Sequence, residues 1–157
     1  RGKVLDLGCG QGRNAIPLAR MGFEVMGLDQ SQVGIDQMLA VGEKEGLSMQ
    51  GAIADIYVYQ QYAEFDYILL DSMFHFAKND KAREQGLIEK IMHDARAGAL
   101  LIFCIQDTGK KWQILNETIA KVGEKDRLYE ASIQYKFEDK STGHSSISPY
   151  KLLVIRN

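Results

Sequence analysis

The sequence predicts an α/β fold: a doubly wound, mostly parallel sheet of seven strands with helices on both faces and a C-terminal antiparallel hairpin. Short apolar runs alternate with segments of helical periodicity along most of the chain, and this pattern leads to a parallel sheet covered by helices. A glycine-rich segment separates the first apolar run from the first helical segment. Near the C terminus, two strand-like segments follow one another without a helix between them, so they must pair antiparallel.

Seven segments are predicted as strands because they are short, apolar and bounded by turn residues. The sixth alternates apolar and polar side chains, which predicts a half-exposed strand. A polar loop over residues 138–149 is predicted between the last two strands. The predicted strands are 3–7, 23–28, 47–52, 65–70, 99–105, a segment around 131–137, and 150–155.

Four segments are predicted as helices from the spacing of their apolar residues. A serine and an aspartate are predicted as N-caps of two of them, and a glycine is predicted to end each. The predicted helices are 14–20 before Gly22, a segment from Ser31 to near Gly46, a segment from Asp80 to Gly98, and a segment from Trp112 to Gly123.

Composition predicts one globular domain over residues 1–157, since 45% of the residues are hydrophobic and 25% are charged. Cys9 and Cys104 lack the spacing of a metal site or a disulfide framework, so we expect reduced thiols and no metal. No apolar run reaches the about 18 residues of a membrane span, and no signal peptide is visible. These features favour a cytoplasmic protein without a membrane partner.

The charge balance argues against a nucleic-acid partner. The formal net charge is −2 and the sequence pI is about 5.9. The nearest approach to a basic cluster is the pair Lys110 and Lys111, whereas binding to a phosphate backbone needs a basic stripe or patch. The charge balance therefore disfavours a nucleic-acid partner.

The glycine-rich segment carries the main functional signal. Gly8, Gly10 and Gly12 follow Asp6 and directly precede a predicted helix. Glycine permits positive φ and a close approach of a ligand, and a helix N-terminus attracts a carboxylate or phosphate. Nucleotide-binding Rossmann-like folds share this arrangement. A dinucleotide fingerprint would have its third glycine at position 13, where this chain has Arg13, and an apolar residue in place of Asp6.

The pattern Asp6-x-Gly8-x-Gly10-x-Gly12 instead resembles motif I of the class I S-adenosylmethionine (SAM) dependent methyltransferases. The resemblance covers nearly the whole chain, including the terminal hairpin. It implies transfer of the SAM methyl group by in-line displacement, with S-adenosylhomocysteine (SAH) as the product. It also implies helices ahead of the first strand that help cover the acceptor site. These are expected to be absent from this chain, which begins at Arg1 almost directly before its first strand.

Asp29 ends the second predicted strand, where a carboxylate can accept hydrogen bonds from both ribose hydroxyls of a nucleoside. The alternative interpretation is an acid that only stabilises the start of the next helix, near Ser31.

The resemblance implies further cofactor contacts. Gln30 would flank the adenine, Asp55 would accept a hydrogen bond from its amino group, and Ile56 would offer its backbone N–H. Arg13 and Asn14 would lie near the methionine carboxylate. The alternatives are that Asp55 is only a turn former and that Arg13 is a solvated residue at a helix start. The predicted cofactor-binding set is Asp6, Gly8, Cys9, Gly10, Gly12, Arg13, Asn14, Asp29, Gln30, Asp55, Ile56, Asp71 and Ser72.

The fourth predicted strand is followed by Asp71 and Ser72, at the sheet edge where ligands bind in open α/β folds. In the family this segment faces the methionine end of SAM and the acceptor. The segment lacks the two prolines that amine-methylating members acting on DNA bases or glutamine carry there. His75 is the candidate general base, with a packed, structural histidine as the alternative. Its aromatic neighbours Phe74 and Phe76 wall an acceptor pocket or belong to the core.

The leading hypothesis is a methyltransferase for a small-molecule acceptor, with a protein acceptor as a second possibility. Two alternatives stay open at this point. One is a noncatalytic SAM-binding module, which would keep the same binding residues. The other is an NAD-type oxidoreductase, against which Asp6 and Arg13 argue.

Overall fold

The computed structural model describes the backbone of residues 1–139 and 144–157. Strands and helices alternate along the first two-thirds of the chain, as predicted, and a long hairpin ends it. The elements are β1 (Lys3–Leu7), α1 (Ala15–Arg20), β2 (Glu24–Asp29), α2 (Gln32–Glu45), β3 (Met49–Ile53), a 3₁₀ turn (Tyr62–Glu64), β4 (Tyr67–Asp71), α3 (Lys81–Asp94), β5 (Leu100–Gln106), α4 (Lys111–Val122), β6 (Asp126–Asp139) and β7 (His144–Arg156).

The strands form one seven-stranded sheet in the order β3-β2-β1-β4-β5-β7-β6. Strands β1 to β5 are parallel to their neighbours, and β7 is antiparallel to both β5 and β6. The predicted fold class is therefore confirmed. The chain runs outward from β1 to β3 and then returns to β4 on the other side of β1, so the strand order reverses between β1 and β4. The crevice beyond this reversal is where open α/β sheets bind ligands.

The helices cover the two faces of the sheet unequally. On one face, α3 and α4 pack against the whole central sheet and form the main core, with Ile88, Ile91 and Leu115 fully buried. On the other face, α1 and α2 cover only the side that contains β1, β2 and β3. Leu69 and Ile102 on this second face are only half-buried and line a cavity of about 480 Å³ beside α1.

The prediction for residues 138–149 is wrong, because most of this predicted loop is strand. The β6–β7 ladder continues to the pair Asp139 and His144, and residues 140–143 lie outside the described residues. The β6–β7 ladder extends past the end of β5. In this extension backbone hydrogen bonds hold the two strands together, and their side chains bury no core. Polar residues are therefore no sign of a loop there. β6 is also more exposed than predicted, because it is an edge strand of the sheet: Ile133 is 40% and Tyr135 is 45% exposed.

The predicted helix caps are partly confirmed. The Ser31 hydroxyl accepts a hydrogen bond from the Gly34 N–H (3.1 Å), and Gly46 ends α2 in the left-handed conformation. Asp80 occupies the N-cap position of α3, but its side chain makes no capping hydrogen bond. The predicted end of this helix at Gly98 is wrong: α3 ends at Asp94, and Gly98 turns the chain into β5 with φ +83°. Within the described ranges, no helix is both long and apolar enough to cross a membrane.

Candidate active site

The glycine loop after β1 forms an open cradle. Gly8, Gly10 and Gly12 have φ values of +69°, +53° and +86°, in the left-handed region that favours glycine. A Cβ atom on Gly8 or Gly10 would meet nothing within 4 Å, whereas one on Gly12 would lie 2.6 Å from Met38 Cγ. Gly12 is therefore required for the packing of α2, and Gly8 and Gly10 leave room for a ligand to approach the backbone.

Asp29 lies at the end of β2, directly beside this loop. Its Oδ2 accepts a hydrogen bond from the Gly10 N–H (2.8 Å), and its Oδ1 accepts one from the Ser31 N–H (2.8 Å). The second contact supports the helix-start interpretation. It leaves ribose binding open, because a carboxylate has about four lone-pair positions and these contacts use two.

Asp6 lies beneath the loop and is only 1% exposed. Among the described residues its Oδ2 has no hydrogen-bond partner. Burial, followed by the nearby Asp71 carboxylate, raises the pKa of Asp6 from 3.8 to about 7. A buried carboxyl oxygen without a partner is costly, so the loop fits a ligand that brings a donor or a positive charge to this point.

A polar network joins the glycine loop to the end of β4. Asp71 Oδ2 accepts hydrogen bonds from Arg13 Nη2 (2.7 Å) and Asn14 Nδ2 (2.8 Å), and Asp71 Oδ1 accepts one from the Ser72 hydroxyl (2.7 Å). Burial alone would raise the pKa of Asp71. The hydrogen bonds from Ser72 and Asn14 and the Arg13 charge outweigh burial, so this pKa lies below its ordinary value. Asp71 is therefore an ionised acceptor at the crevice.

The loop after β4 is held in a strained conformation. Ser72 (φ +58°) and Phe76 (φ +51°) occupy the left-handed region that non-glycine residues rarely adopt. The rings of Phe74 and Phe76 are stacked 5.9 Å apart and buried, so these residues belong to the core. Glu84 of α3, 5% exposed, accepts hydrogen bonds from the N–H groups of Phe76 (2.5 Å) and His75 (3.2 Å).

His75 lies on this loop with an exposed side chain. The alternative of a packed, structural histidine therefore does not fit its position. His75 is also not among the residues that line the cavity next to Arg13 and Asp71. Its role as a general base stays a prediction.

The expected adenine side of the site lies beyond β2 and β3. The Ala54 N–H donates to the Asp29 carbonyl (3.0 Å), which joins the ends of the two strands. Asp55 Oδ1 accepts the Tyr57 N–H (2.9 Å), as a turn-forming aspartate does. The Ile56 carbonyl accepts a hydrogen bond from the buried Tyr62 hydroxyl (3.1 Å). Gln30 is exposed and directly follows Asp29 at the end of β2.

A cavity of about 430 Å³ opens next to the Arg13–Asp71 network. One end is polar, and the walls are mainly apolar and come from β4, β5 and the hairpin. Arg13 reaches across it to Tyr135 of β6, whose ring centroid lies 5.9 Å from the guanidinium carbon. The lining residues are Arg13, Asn14, Leu69, Asp71, Ser72, Cys104, Ile133, Tyr135, Tyr150 and Leu152.

The sequence prediction missed the part of this wall that the hairpin contributes. The alternation in β6 indicates that Ile133 and Tyr135 share a face, but the register that sets Ile133 opposite Tyr150 was hidden by the predicted loop. Cys104 was predicted as a structural thiol. Burial, and then the negative charge of Asp71, raises its pKa to about 12, so it lines the cavity as a neutral thiol.

Comparison with known proteins identifies the family. Residues 1–139 match the family model described as tellurite resistance protein TehB. The chain belongs to the TehB family. A Haemophilus influenzae protein named probable S-adenosyl-L-methionine-dependent methyltransferase TehB is 35% identical over 79 residues, which are 50% of this chain and 28% of that protein. A ubiquinone biosynthesis O-methyltransferase from Maricaulis maris is 33% identical over 78 residues, 48% of this chain and 31% of that enzyme.

The fold of the TehB family agrees with the structure. The crystal structure of TehB from Haemophilus influenzae superimposes with a TM-score of 0.79 at 21% identity, covering 99% of this chain and 57% of that chain. The family match and the methyltransferase named among the relatives confirm the predicted membership of the class I SAM-dependent methyltransferases. This chain spans less than a third of the length of the two curated relatives and just over half of the solved one.

Proposed function

We propose that this chain is a SAM-dependent methyltransferase domain that transfers a methyl group to a small-molecule acceptor. The observation that carries the proposal is the open cradle at Gly8 and Gly10 beside Asp29. Arg13 and Asn14, which follow this loop in the chain, line the polar side of the 430 Å³ cavity. This volume lies in the range of about 300–1,000 Å³ that small-molecule pockets occupy, and the mixture of apolar walls with a few polar groups is typical of them.

The residues of the chain would hold the cofactor at three places. Asp29 would accept the ribose hydroxyls, and Asp55 the adenine amino group. Asp6, Arg13 and the backbone of the glycine loop would hold the charged methionine end. There the Asp6 oxygen, which has no partner among the described residues, suits a cationic group. When bound, SAM supplies a methyl group on a sulfonium, whose C–S bond breaks with its electron pair left on sulfur.

The task of the protein is then to hold the acceptor in line with that bond and to keep the site dry. Tyr135, Tyr150 and Leu152 would exclude water on the hairpin side of the cavity. An acceptor that must lose a proton would need a base, and His75 is the proposed one, since it follows the cavity-lining residue Ser72 by three positions in the chain. A cytoplasmic location belongs to the proposal and is supported by the free thiols of Cys9 and Cys104.

Two measurements test this proposal. Calorimetry should show one SAH per chain and no comparable binding of NAD. Incubation with methyl-labelled SAM and an extract of cellular metabolites should place the label in the small-molecule fraction. Tellurite belongs among the single acceptors to be tried, because the family description names tellurite resistance.

The outcomes separate the alternatives. Label in precipitated protein would point to a protein acceptor and contradict the small-molecule proposal. SAH binding without transfer to any fraction would favour a noncatalytic SAM-binding module. The Asp29→Ala variant serves as the control. If it transfers the labelled methyl group at the same rate as the unmodified chain, the activity does not arise from this site.

A further inference from the structure

Arg83, in the first turn of α3, contacts the loop after β3 in two ways. Its Nη2 atom lies 3.7 Å from Asp55 Oδ2, and its guanidinium carbon lies 3.6 Å from the centroid of the Tyr57 ring. The other Asp55 oxygen accepts the Tyr57 N–H (2.9 Å). One guanidinium thus contacts two residues of this turn, Asp55 and Tyr57.

These contacts restrict the Asp55 carboxylate from two sides. The carboxylate is partly exposed, at 38%, so packing alone does not fix its rotamer. The Tyr57 N–H holds one oxygen. Arg83 attracts the other, and the Tyr57 ring beneath the guanidinium limits where that charge can lie. The Asp55 oxygens keep free lone pairs for a further donor.

We infer that Arg83 is a positioning residue for adenine recognition: it orients the Asp55 carboxylate toward the 6-amino group of the cofactor without touching the cofactor itself. The inference rests on the proposed function, in which Asp55 accepts from this amino group. The neighbouring residue, Glu84, holds the loop after β4 through two backbone N–H groups. The start of α3 therefore anchors the loops on both sides of the proposed site.

The test compares two ligands by calorimetry: SAH, and an SAH analogue whose base is unsubstituted purine and lacks the 6-amino group. The unmodified chain should bind SAH about ten- to a hundredfold more tightly than the analogue, because only SAH can donate to the charged acceptor. Arg83→Ala should raise the dissociation constant of SAH about three- to tenfold and change that of the analogue by less than about twofold. The ratio of the two dissociation constants should therefore fall.

This ratio distinguishes positioning from a merely structural role, which would weaken both ligands equally. Lys81→Ala, which removes an exposed charge from the same helix turn, should leave the ratio unchanged. Arg83→Lys keeps the charge without the planar stack and should lie between Arg83→Ala and the unmodified chain.

Asp55→Ala makes the two possible failures distinguishable. If Asp55→Ala abolishes the discrimination and Arg83→Ala leaves it intact, the inference about Arg83 is overturned and the adenine site stands. If Asp55→Ala keeps the discrimination, the assignment of Asp55 in the proposed function fails, and the inference fails with it. Equal weakening of both ligands by Arg83→Ala would also overturn the inference.

Discussion

At the scale of single residues, Asp29 connects the glycine loop to the proposed ribose site. Its two oxygens already accept the N–H groups of Gly10 and Ser31. The same carboxylate therefore shapes the loop and remains able to accept further hydrogen bonds. Replacement of Asp29 should affect both functions, and this makes it the most informative position in the site.

Asp29→Ala should lower SAH affinity by about one to three decades, because hydrogen bonds to a charged acceptor contribute about 1.5–3 kcal/mol each. Asp29→Asn keeps one acceptor oxygen and should fall between Asp29→Ala and the unmodified chain. Calorimetric titration of the folded variants with SAH measures both. An unchanged dissociation constant for Asp29→Ala would mean that Asp29 serves only the loop and the start of α2.

Asp6 should make the stability of the ligand-free protein depend on pH. Its pKa rises from an ordinary 3.8 to about 7 in the folded state, mainly through burial. Between these values the unfolded chain ionises first, so the free energy of unfolding falls as pH rises toward 7. This carboxyl contributes a slope of at most about 1.4 kcal/mol per pH unit. Above the folded pKa its contribution is constant.

Urea denaturation of the unmodified chain and of Asp6→Asn, from pH 5 to pH 8, tests this expectation. The stability of the variant relative to the unmodified chain should increase up to about pH 7 and then level off. Parallel pH profiles for the two proteins would show that Asp6 titrates near its ordinary value.

At the scale of elements, the close packing of α2 on the glycine loop explains the glycine in the first turn of this helix. A Cβ on Gly34 would lie 2.9 Å from the carbonyl oxygen of Gly10. Gly86 in α3 is exposed, and a Cβ there would meet nothing within 4 Å. The two positions therefore form a matched pair, because both are helical and only one touches the loop.

Gly86→Ala should stabilise the protein by about 0.5–1 kcal/mol, since alanine loses less backbone entropy in a helix. Gly34→Ala should instead destabilise it by about 1–3 kcal/mol, because backbone must shift to admit the methyl group. It should also weaken SAH binding by displacing Gly10. Urea denaturation and calorimetry measure these effects. Equal stabilisation by both substitutions would disprove the close contact between α2 and the loop.

At the scale of the whole molecule, the charges offer no broad attraction for nucleic acid. The net charge is −2, and several arginines pair with carboxylates, among them Arg20 with Glu45 and Arg156 with Asp126. We therefore expect no binding of random duplex DNA or transfer RNA with a dissociation constant below about 10 µM at physiological salt, since such binding depends on unpaired basic charge. Fluorescence anisotropy tests this, and micromolar binding that weakens steeply with salt would contradict it.

The amino-acid sequence by itself determined the order of the elements, the direction of the strands and the glycine loop with Asp29. These features depend on local signals: apolar runs mark β1 to β5, and positive φ at Gly8 and Gly10 needs no distant partner. The boundaries that failed lack such a signal. The hairpin strands beyond β5 bury no core, so their polar residues resemble a loop.

Only the tertiary structure decided the walls of the cavity and the electrostatics of the site. Arg13, Asp71 and Tyr135 are far apart in the chain and meet because of the order of the strands and the register of the hairpin. The raised pKa of Asp6 likewise depends on burial beneath the loop. The hydrogen bond that Glu84 accepts from the Phe76 N–H, in the loop after β4, depends on where α3 packs. Local preferences in a sequence specify the backbone of each element, whereas contacts between distant side chains arise only when the elements pack together.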